Sequence, residues 1–232
     1  MSQRPDKNAF TADTLARAID HTVLAPDHTV DDVARACEEA VQYGFAAVSV
    51  APYDVARAAQ ALRGTPVAVD GAVGIPLGHS GLDVKRAEAV ACIEAGAGEV
   101  DMVINLVAMK SGRYGDVRAE IEAVRKVTTG CLLKVILECC YLSDEEKARA
   151  AELAIEAGAD FVKTGTGFGS GGATVHDVAL LKTVVAGRAR VKAAGGIRTY
   201  LQACSMLDAG ADRLGTSAGV RIIRDFQESE DD

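Results

Sequence analysis

The chain reads as a (βα)₈ barrel in a single domain. Three observations predict this: short apolar runs alternate with amphipathic helices, near-identical helix endings recur along the chain, and chemically distinctive residues stand at one fixed offset from those endings. Glu94-Ala95-Gly96-Ala97, Glu156-Ala157-Gly158-Ala159 and Asp208-Ala209-Gly210-Ala211 are near copies. In each, glycine supplies the left-handed residue that closes a helix. Five residues beyond the glycine stand Asp101, Lys163 and Gly215, and the same offset from Gly44 and Gly187 gives Ser49 and Lys192. Five strands thus end alike, and their ends carry most of the reactive side chains.

Taken in order, a short first strand surrounds Ile19-Asp20-His21-Thr22, and a second ends near Ser49. The third falls within Thr65–Gly74 and the fourth runs into Asp101. The fifth is Cys131–Glu138, and the last three end at Lys163, Lys192 and Gly215. Helical spacing marks Val30–Tyr43, Tyr53–Leu62, Gly81–Ala95, Tyr114–Thr128, Ser143–Ala157, Val175–Val185 and Thr199–Ala209. Ser143-Asp144-Glu145-Glu146 opens its helix as a capping box. Strand–helix alternation implies a parallel sheet, and eight strands in 232 residues fit a closed barrel. An open doubly wound sheet is the alternative; even strand spacing and the lack of G-x-G-x-x-G after the first strand count against it. Neither a linker nor a low-complexity tract divides residues 1–232. About 1–12 read as an N-terminal extension, and about 226–232 as an acidic tail, frayed and solvated from Gln227 onward.

Composition excludes several classes. Hydrophobic residues make up 49% of the chain, enough for a substantial core. A net charge of −8 argues against nucleic acid as a partner. No apolar stretch reaches the length of a membrane span, and the N-terminus lacks a signal-peptide core. The six cysteines (Cys37, Cys92, Cys131, Cys139, Cys140 and Cys204) include no C-x-x-C pair, which points to a reduced, cytoplasmic protein.

Lys163 and Lys192 carry the chemistry. An ammonium ending an apolar strand is costly to bury unless paired or used. A single such lysine is more often an ion-paired rim residue; two on successive strands of one catalytic rim point to amine chemistry. Two ammonium groups close together disfavour double protonation, so one becomes a nucleophilic amine. Such an amine forms an iminium with an aldehyde, and the iminium stabilises an adjacent carbanion. Asp101 interrupts Val100-Asp101-Met102-Val103-Ile104 and is the candidate proton shuttle, or an ion-pair partner that only orients a lysine. Thr164, Gly165, Thr166 and Gly167 after the sixth strand, Gly195 and Gly196 after the seventh, and Gly215 to Ser217 after the eighth offer N–H groups and hydroxyls to a phosphate. His21, His28, His79 and His176 are scattered without metal-ligand spacing, so no metal is expected.

Ile19-Asp20-His21-Thr22, Val100-Asp101-Met102-Val103-Ile104-Asn105, Leu133-Lys134-Val135-Ile136-Leu137-Glu138, Phe161-Val162-Lys163-Thr164, Gly171-Gly172-Ala173-Thr174 and Lys192-Ala193-Ala194-Gly195-Gly196-Ile197-Arg198-Thr199 together resemble the deoxyribose-phosphate aldolase family, from about Ile19 to Val220. The resemblance implies a class I, metal- and cofactor-independent aldolase on a (βα)₈ barrel, interconverting 2-deoxy-D-ribose 5-phosphate with acetaldehyde and D-glyceraldehyde 3-phosphate. Matched residue by residue, Lys163 is the Schiff-base lysine, Lys192 the second lysine and Asp101 the acid/base. Asp20 and Thr22 lie near substrate hydroxyls, Lys134 belongs to the charge network, and Gly195, Gly196 and Ser217 hold the phosphate. Ser49, Thr164, Thr166, Gly167 and Gly215 complete the expected substrate-binding set. The chain departs from the family at Ser49, where many members have cysteine, at Gly165 and at Ala218. A homo-oligomer, as a dimer, is expected by analogy. A Schiff-base aldolase with another acceptor, or a catalytically silent sugar-phosphate-binding barrel, remain the alternative readings.

Overall fold

The computed structural model describes residues 10–230. Eight strands close into a parallel barrel in chain order. They are β1 (Ile19–Val23), β2 (Ala47–Val50), β3 (Ala68–Val73), β4 (Glu99–Val103), β5 (Leu132–Ile136), β6 (Phe161–Lys163), β7 (Arg190–Ala194) and β8 (Arg213–Thr216). The helices are α1 (Ala12–Ala16), α2 (Val30–Tyr43), α3 (Val55–Ala61), α4 (Leu82–Glu94), α5 (Leu106–Lys110), α6 (Tyr114–Val127), α7 (Asp144–Glu156), α8 (Val175–Val185), α9 (Tyr200–Asp208) and α10 (Gly219–Glu230). Closure is made by β8, where Asp20 pairs with Gly215. The closed barrel leaves no sheet edge.

Helix α2 illustrates how sequence pattern becomes packing. Thr29 caps it, its hydroxyl accepting from the Asp32 amide while the Asp32 carboxylate accepts from the Thr29 amide. Val33, Ala36, Cys37 and Ala40 recur on one face and are all buried against the barrel. Gly44 at φ 74° ends the helix. The Ser143 capping box opens α7 as the sequence indicates. The wide helix Tyr53–Leu62 resolves into a 3₁₀ turn, Pro52–Asp54, followed by α3, because the proline starts the turn without a side-chain cap.

Three helices escape the repeat pattern. α1 and α5 have only five residues each, too short to show a period. α10 continues to Glu230, where the sequence suggests a frayed end from Gln227. Ile222, Ile223 and Phe226 are buried on its inner face, and Tyr200 meets the Phe226 ring edge-on at 5.2 Å. Those apolar contacts hold the helix despite its acidic end. The expected extension over about residues 1–12 lies mostly outside the described residues; Ala12 already begins α1.

One ion pair ties the helical layer to the barrel. Lys85 of α4 is wholly buried and donates to the Val103 carbonyl and to Glu120 of α6, both at 2.8 Å. Burial lowers the lysine and raises the glutamate, so each leans toward its neutral form, and their mutual attraction offsets only part of this. Lys85→Met is expected to cost about 3–5 kcal/mol, because Glu120 and the Val103 carbonyl lose their partner. Adding Glu120→Leu should recover most of that loss. Urea unfolding midpoints of the single and double variants check both statements.

Candidate active site

The barrel interior is a charged cluster. Lys134, Lys163, Lys192 and Arg213 point inward from β5, β6, β7 and β8. Facing them are Asp20 of β1, Asp70 of β3, and Glu99 and Asp101 of β4. Inward residues alternate along each strand, so Glu99 and Asp101 face the same interior. Lys163 and Lys192 are direct partners in the β6–β7 register.

Lys163 Nζ donates to Asp101 Oδ2 at 2.6 Å, and Lys192 Nζ donates to the same oxygen at 2.7 Å. Lys192 also meets Asp20 Oδ2 at 2.6 Å and Asp70 Oδ2 at 3.1 Å. Lys134 Nζ lies 2.6 Å from Glu99, 3.1 Å from Asp70 and Asp101, and 3.7 Å from Asp20. These Lys134 contacts are ion pairs rather than aligned hydrogen bonds. Arg213 joins Asp20 at 2.7 Å and grips both oxygens of Glu99 at 3.0 Å. Among the described residues, the oxygens of Asp20, Asp70 and Glu99 lie within 4.8 Å of one another, as metal ligands can. The Lys134 ammonium is seated against all three, so a side chain already supplies the positive charge there.

Burial acts on every member, and its outcome depends on how many opposite charges each one meets. It lowers Lys163 below the usual lysine value; Asp101 opposes this, while the Lys192 charge adds to it. Burial also acts to lower Lys192, but Asp101, Asp20 and Asp70 outweigh it and hold Lys192 as an ammonium. The same holds for Lys134, which four carboxylates keep charged. Asp101 is held well below the carboxylate range: burial raises it, and Lys134, Lys163 and Lys192 more than reverse that. Of the two rim lysines, Lys163 is therefore the one poised as an amine. Burial contributes more to this than the neighbouring ammonium on which sequence reasoning relied.

A cavity of about 680 Å³ opens above this cluster. Lys163, Thr22, Thr166, Gly167, Gly195, Gly196, Gly215 and Ser217 line it. Asp20, Ser49, Asp101, Lys134, Thr164 and Lys192 are not in its wall; they lie buried beneath or behind. Thr164 braces β6 against β7, its hydroxyl donating to the Ala194 carbonyl and accepting from the Ala194 amide. Ser49 donates to Asp70 Oδ2 at 2.5 Å and is 3% exposed, so the departure at this position sits in the charge network instead of at the cavity wall. Gly195 at φ 99° and Gly196 at φ 76° require glycine, and the Gly195 backbone lies against Gly172.

Four participants escaped the sequence reading: Asp70, Glu99, Arg213 and Glu138. Asp70 carries the same signal as Asp101, a carboxylate inside an apolar run, Val67-Ala68-Val69-Asp70-Gly71-Ala72-Val73. Glu99 and Arg213 stand two residues before Asp101 and Gly215, the spacing that returns a strand to the same face. Glu138 gave no usable signal. It is buried at φ 56° and accepts from the Thr166 amide at 3.1 Å and the Thr166 hydroxyl at 2.5 Å. A Cβ on Gly165 would stand 2.7 Å from Glu138 Oε1, so glycine at this departure fits the close approach of that carboxylate.

Residues 14–226 match the family described as DeoC/LacD family aldolase, and the chain belongs to that family. It is 53% identical over 220 residues to deoxyribose-phosphate aldolase of Thermococcus gammatolerans, covering 93% of this chain and 98% of the relative. Identity to the deoxyribose-phosphate aldolase of Streptococcus sanguinis is 49%, covering 94% and 99%. Among solved structures, a putative deoxyribose-phosphate aldolase from Coccidioides immitis superposes with TM-score 0.92 at 40% identity, over 98% of this chain and 92% of that one. The deoxyribose phosphate aldolase from Aeropyrum pernix, described as a unique tetramer, gives 0.89 at 33% identity over 94% and 93%.

Two predictions follow from the loops that shape the cavity. Glu138→Ala strips the buried Thr166 amide of its acceptor, costing about 1–3 kcal/mol; amide exchange over residues 164–169 should quicken. His28, in the loop after β1, presents Nε2 to Asp54 at 2.8 Å and Nδ1 to the Ala25 carbonyl at 2.6 Å. These two bonds, Asp54 first, raise its pKa above 6.5. The folded value exceeds the unfolded one, so this stabilisation is complete below about pH 6.5 and fades as pH rises through the raised value. His28→Gln should flatten that part of the stability–pH curve.

Proposed function

We propose that this chain is a class I deoxyribose-phosphate aldolase in which Lys163 forms the Schiff base. The observation that carries the reading is one carboxylate oxygen, Asp101 Oδ2, shared by Lys163 at 2.6 Å and Lys192 at 2.7 Å. One lysine beside it is drawn toward the neutral amine and the other is held as a cation, the division of labour that imine chemistry requires.

The neutral Lys163 amine attacks the C1 aldehyde of open-chain 2-deoxy-D-ribose 5-phosphate. The carbinolamine loses water to give an iminium, its hydroxyl leaving with a proton from the Lys192–Asp101 pair. Removal of the proton on the C3 hydroxyl breaks the C2–C3 bond, and the electron pair flows into the iminium as an enamine. D-Glyceraldehyde 3-phosphate departs; the enamine takes a proton at C2, and water releases acetaldehyde and regenerates the amine. Lys192 serves as the acid of the pair, and Asp101 passes protons between it and the substrate through water. The iminium is the electron sink, so the chemistry needs no metal or other cofactor.

Gly195, Gly196 and Ser217 hold the phosphate, with Gly167 and Gly215 beside them in the cavity wall. Thr22 lies toward the substrate hydroxyls, Thr166 adds to the cavity wall, Thr164 braces β6 against β7 from beneath, and Asp20 and Lys134 keep Lys192 and Asp101 in register. Ser49 acts through Asp70. No helix of the described residues is long and apolar enough to cross a membrane. The same reading includes a homo-oligomer, with a dimer as its simplest form, and a cytoplasmic setting that keeps the six free cysteines reduced.

Borohydride with acetaldehyde should add mass to the peptide holding Lys163 and inactivate the enzyme, and Lys163→Ala should abolish both effects. Label that persists in Lys163→Ala would sink the assignment. Lys192→Arg and Asp101→Asn should each lower kcat by about 10²-fold or more while phosphate binding persists; near wild-type turnover would make the residue structural. Activity should survive prolonged chelation, and unphosphorylated deoxyribose should react far more slowly.

A further inference from the structure

Eight ionisable side chains close on one another inside the barrel, and their formal charges cancel when all are ionised or when one acid and one base are neutral together. The carboxylates are Asp20, Asp70, Glu99 and Asp101; the cations are Lys134, Lys163, Lys192 and Arg213. Amine chemistry at Lys163 removes one positive charge and leaves a buried cluster with a surplus anion. Uncompensated charge is strongly disfavoured in such surroundings, so one carboxylate must hold the proton that Lys163 sheds.

Geometry singles out which one. Asp20 meets Lys192 at 2.6 Å and Arg213 at 2.7 Å. Glu99 meets Lys134 at 2.6 Å and is gripped by both of its oxygens by Arg213. Asp101 meets Lys163 and Lys192 at 2.6 and 2.7 Å. Asp70 has the weakest cationic hold, with Lys134 and Lys192 both at 3.1 Å. Its shortest contact is to a neutral group, the Ser49 hydroxyl at 2.5 Å, which accepts a hydrogen bond as readily as it donates one.

Resting on the reading of Lys163 as the imine-forming amine, we propose that Asp70 is a positioning residue that stores the Lys163 proton, with Ser49 as the partner of its protonated carboxyl. A continuous path joins them: Lys163 Nζ to Asp101 Oδ2 at 2.6 Å, on to Lys192 Nζ at 2.7 Å, and on to Asp70 Oδ2 at 3.1 Å. Lys163 passes a proton to Asp101 as Asp101 passes one to Lys192 and Lys192 passes one to Asp70. One N–H bond breaks at Lys163 and one O–H bond forms at Asp70. Asp101 ends as a carboxylate and Lys192 as an ammonium, as they began, so total charge is conserved.

Electrostatics agree with the geometry. Burial raises the Asp70 carboxyl, the Asp101 charge raises it further, and Lys134 and Lys192 offset only part of this while Asp20 adds to it. Asp20, equally buried, is drawn down to about 2 by Lys192, Lys134 and Arg213. On the helical side, Cys92 of α4 is a neutral thiol, raised to about 12 chiefly by burial, and adds no charge. Lys163 and Asp70 thus titrate as a pair, with one proton to share between them.

Infrared spectroscopy of the whole enzyme with ¹³C-labelled aspartate reads the stored proton directly, and the label separates Asp70 from buried glutamates such as Glu120. At neutral pH the wild type should show the carbonyl stretch of one buried, protonated aspartic acid. That band should vanish in Asp70→Asn and move in frequency in Ser49→Ala. Ser49→Ala keeps the carboxyl and carries the test should Asp70→Asn not fold. A wild type without the band, a band that survives in Asp70→Asn, or one unmoved in Ser49→Ala overturns the proposal. Borohydride labelling run in parallel keeps the two readings apart. Labelled Lys163 without the band removes the role of Asp70 alone, whereas the band without labelling removes the aldolase reading on which that role rests.

Discussion

A lysine amine becomes useful inside a protein only if its charge can be managed, and in this barrel the management is collective. Lys192 is fully buried, yet three carboxylates within 3.1 Å hold it as a cation. Lys163, nearly as buried but with one carboxylate at 2.6 Å, is drawn the other way. The difference between the two is a count of partners, set by which strands neighbour each lysine. Barrel closure supplies that count, because Asp20 reaches Lys192 only when β1 returns beside β8.

The same network replaces the branched apolar layers that usually fill such barrels. A charged interior is stable only if nearly every group is paired, and truncating any one member leaves its partners exposed to the full desolvation penalty. Arg213 and Glu99 seal the lower end of the cluster while Lys163, unlike Lys134 and Lys192, reaches the cavity wall. Rigidity below and access above follow from one arrangement. The apolar packing lies outside, between strands and helices, where Val33, Ile121, Leu181 and Ile222 are all wholly buried.

Loop geometry does the remaining work. Glu138, strained at positive φ, holds the Thr166 segment down and requires the close approach that Gly165 permits. Gly195 passes against Gly172 with no room for a side chain on either. The glycine-rich rim is therefore built from backbone whose shape is set by contacts between loops after β5, β6 and β7.

Read as a string, the chain declares its barrel, its strand ends and its two lysines, because local periodicity and helix-closing glycines need no tertiary information. Asp101, Lys163 and Lys192 stood out for the same reason: a charge inside an apolar run is visible without a fold. Asp70 carried that mark too, yet its meaning depends on β2 and β7 delivering Ser49 and Lys192 to the same oxygen, 21 and 122 residues away in sequence. Short helices and the persistence of α10 were likewise decided by contacts rather than pattern. Residue types and spacings determined which groups stand at the rim. Only the closed barrel, by bringing distant strands within ion-pair reach in a medium that excludes water, decided which lysine is drawn toward its neutral form and which is held as an ammonium.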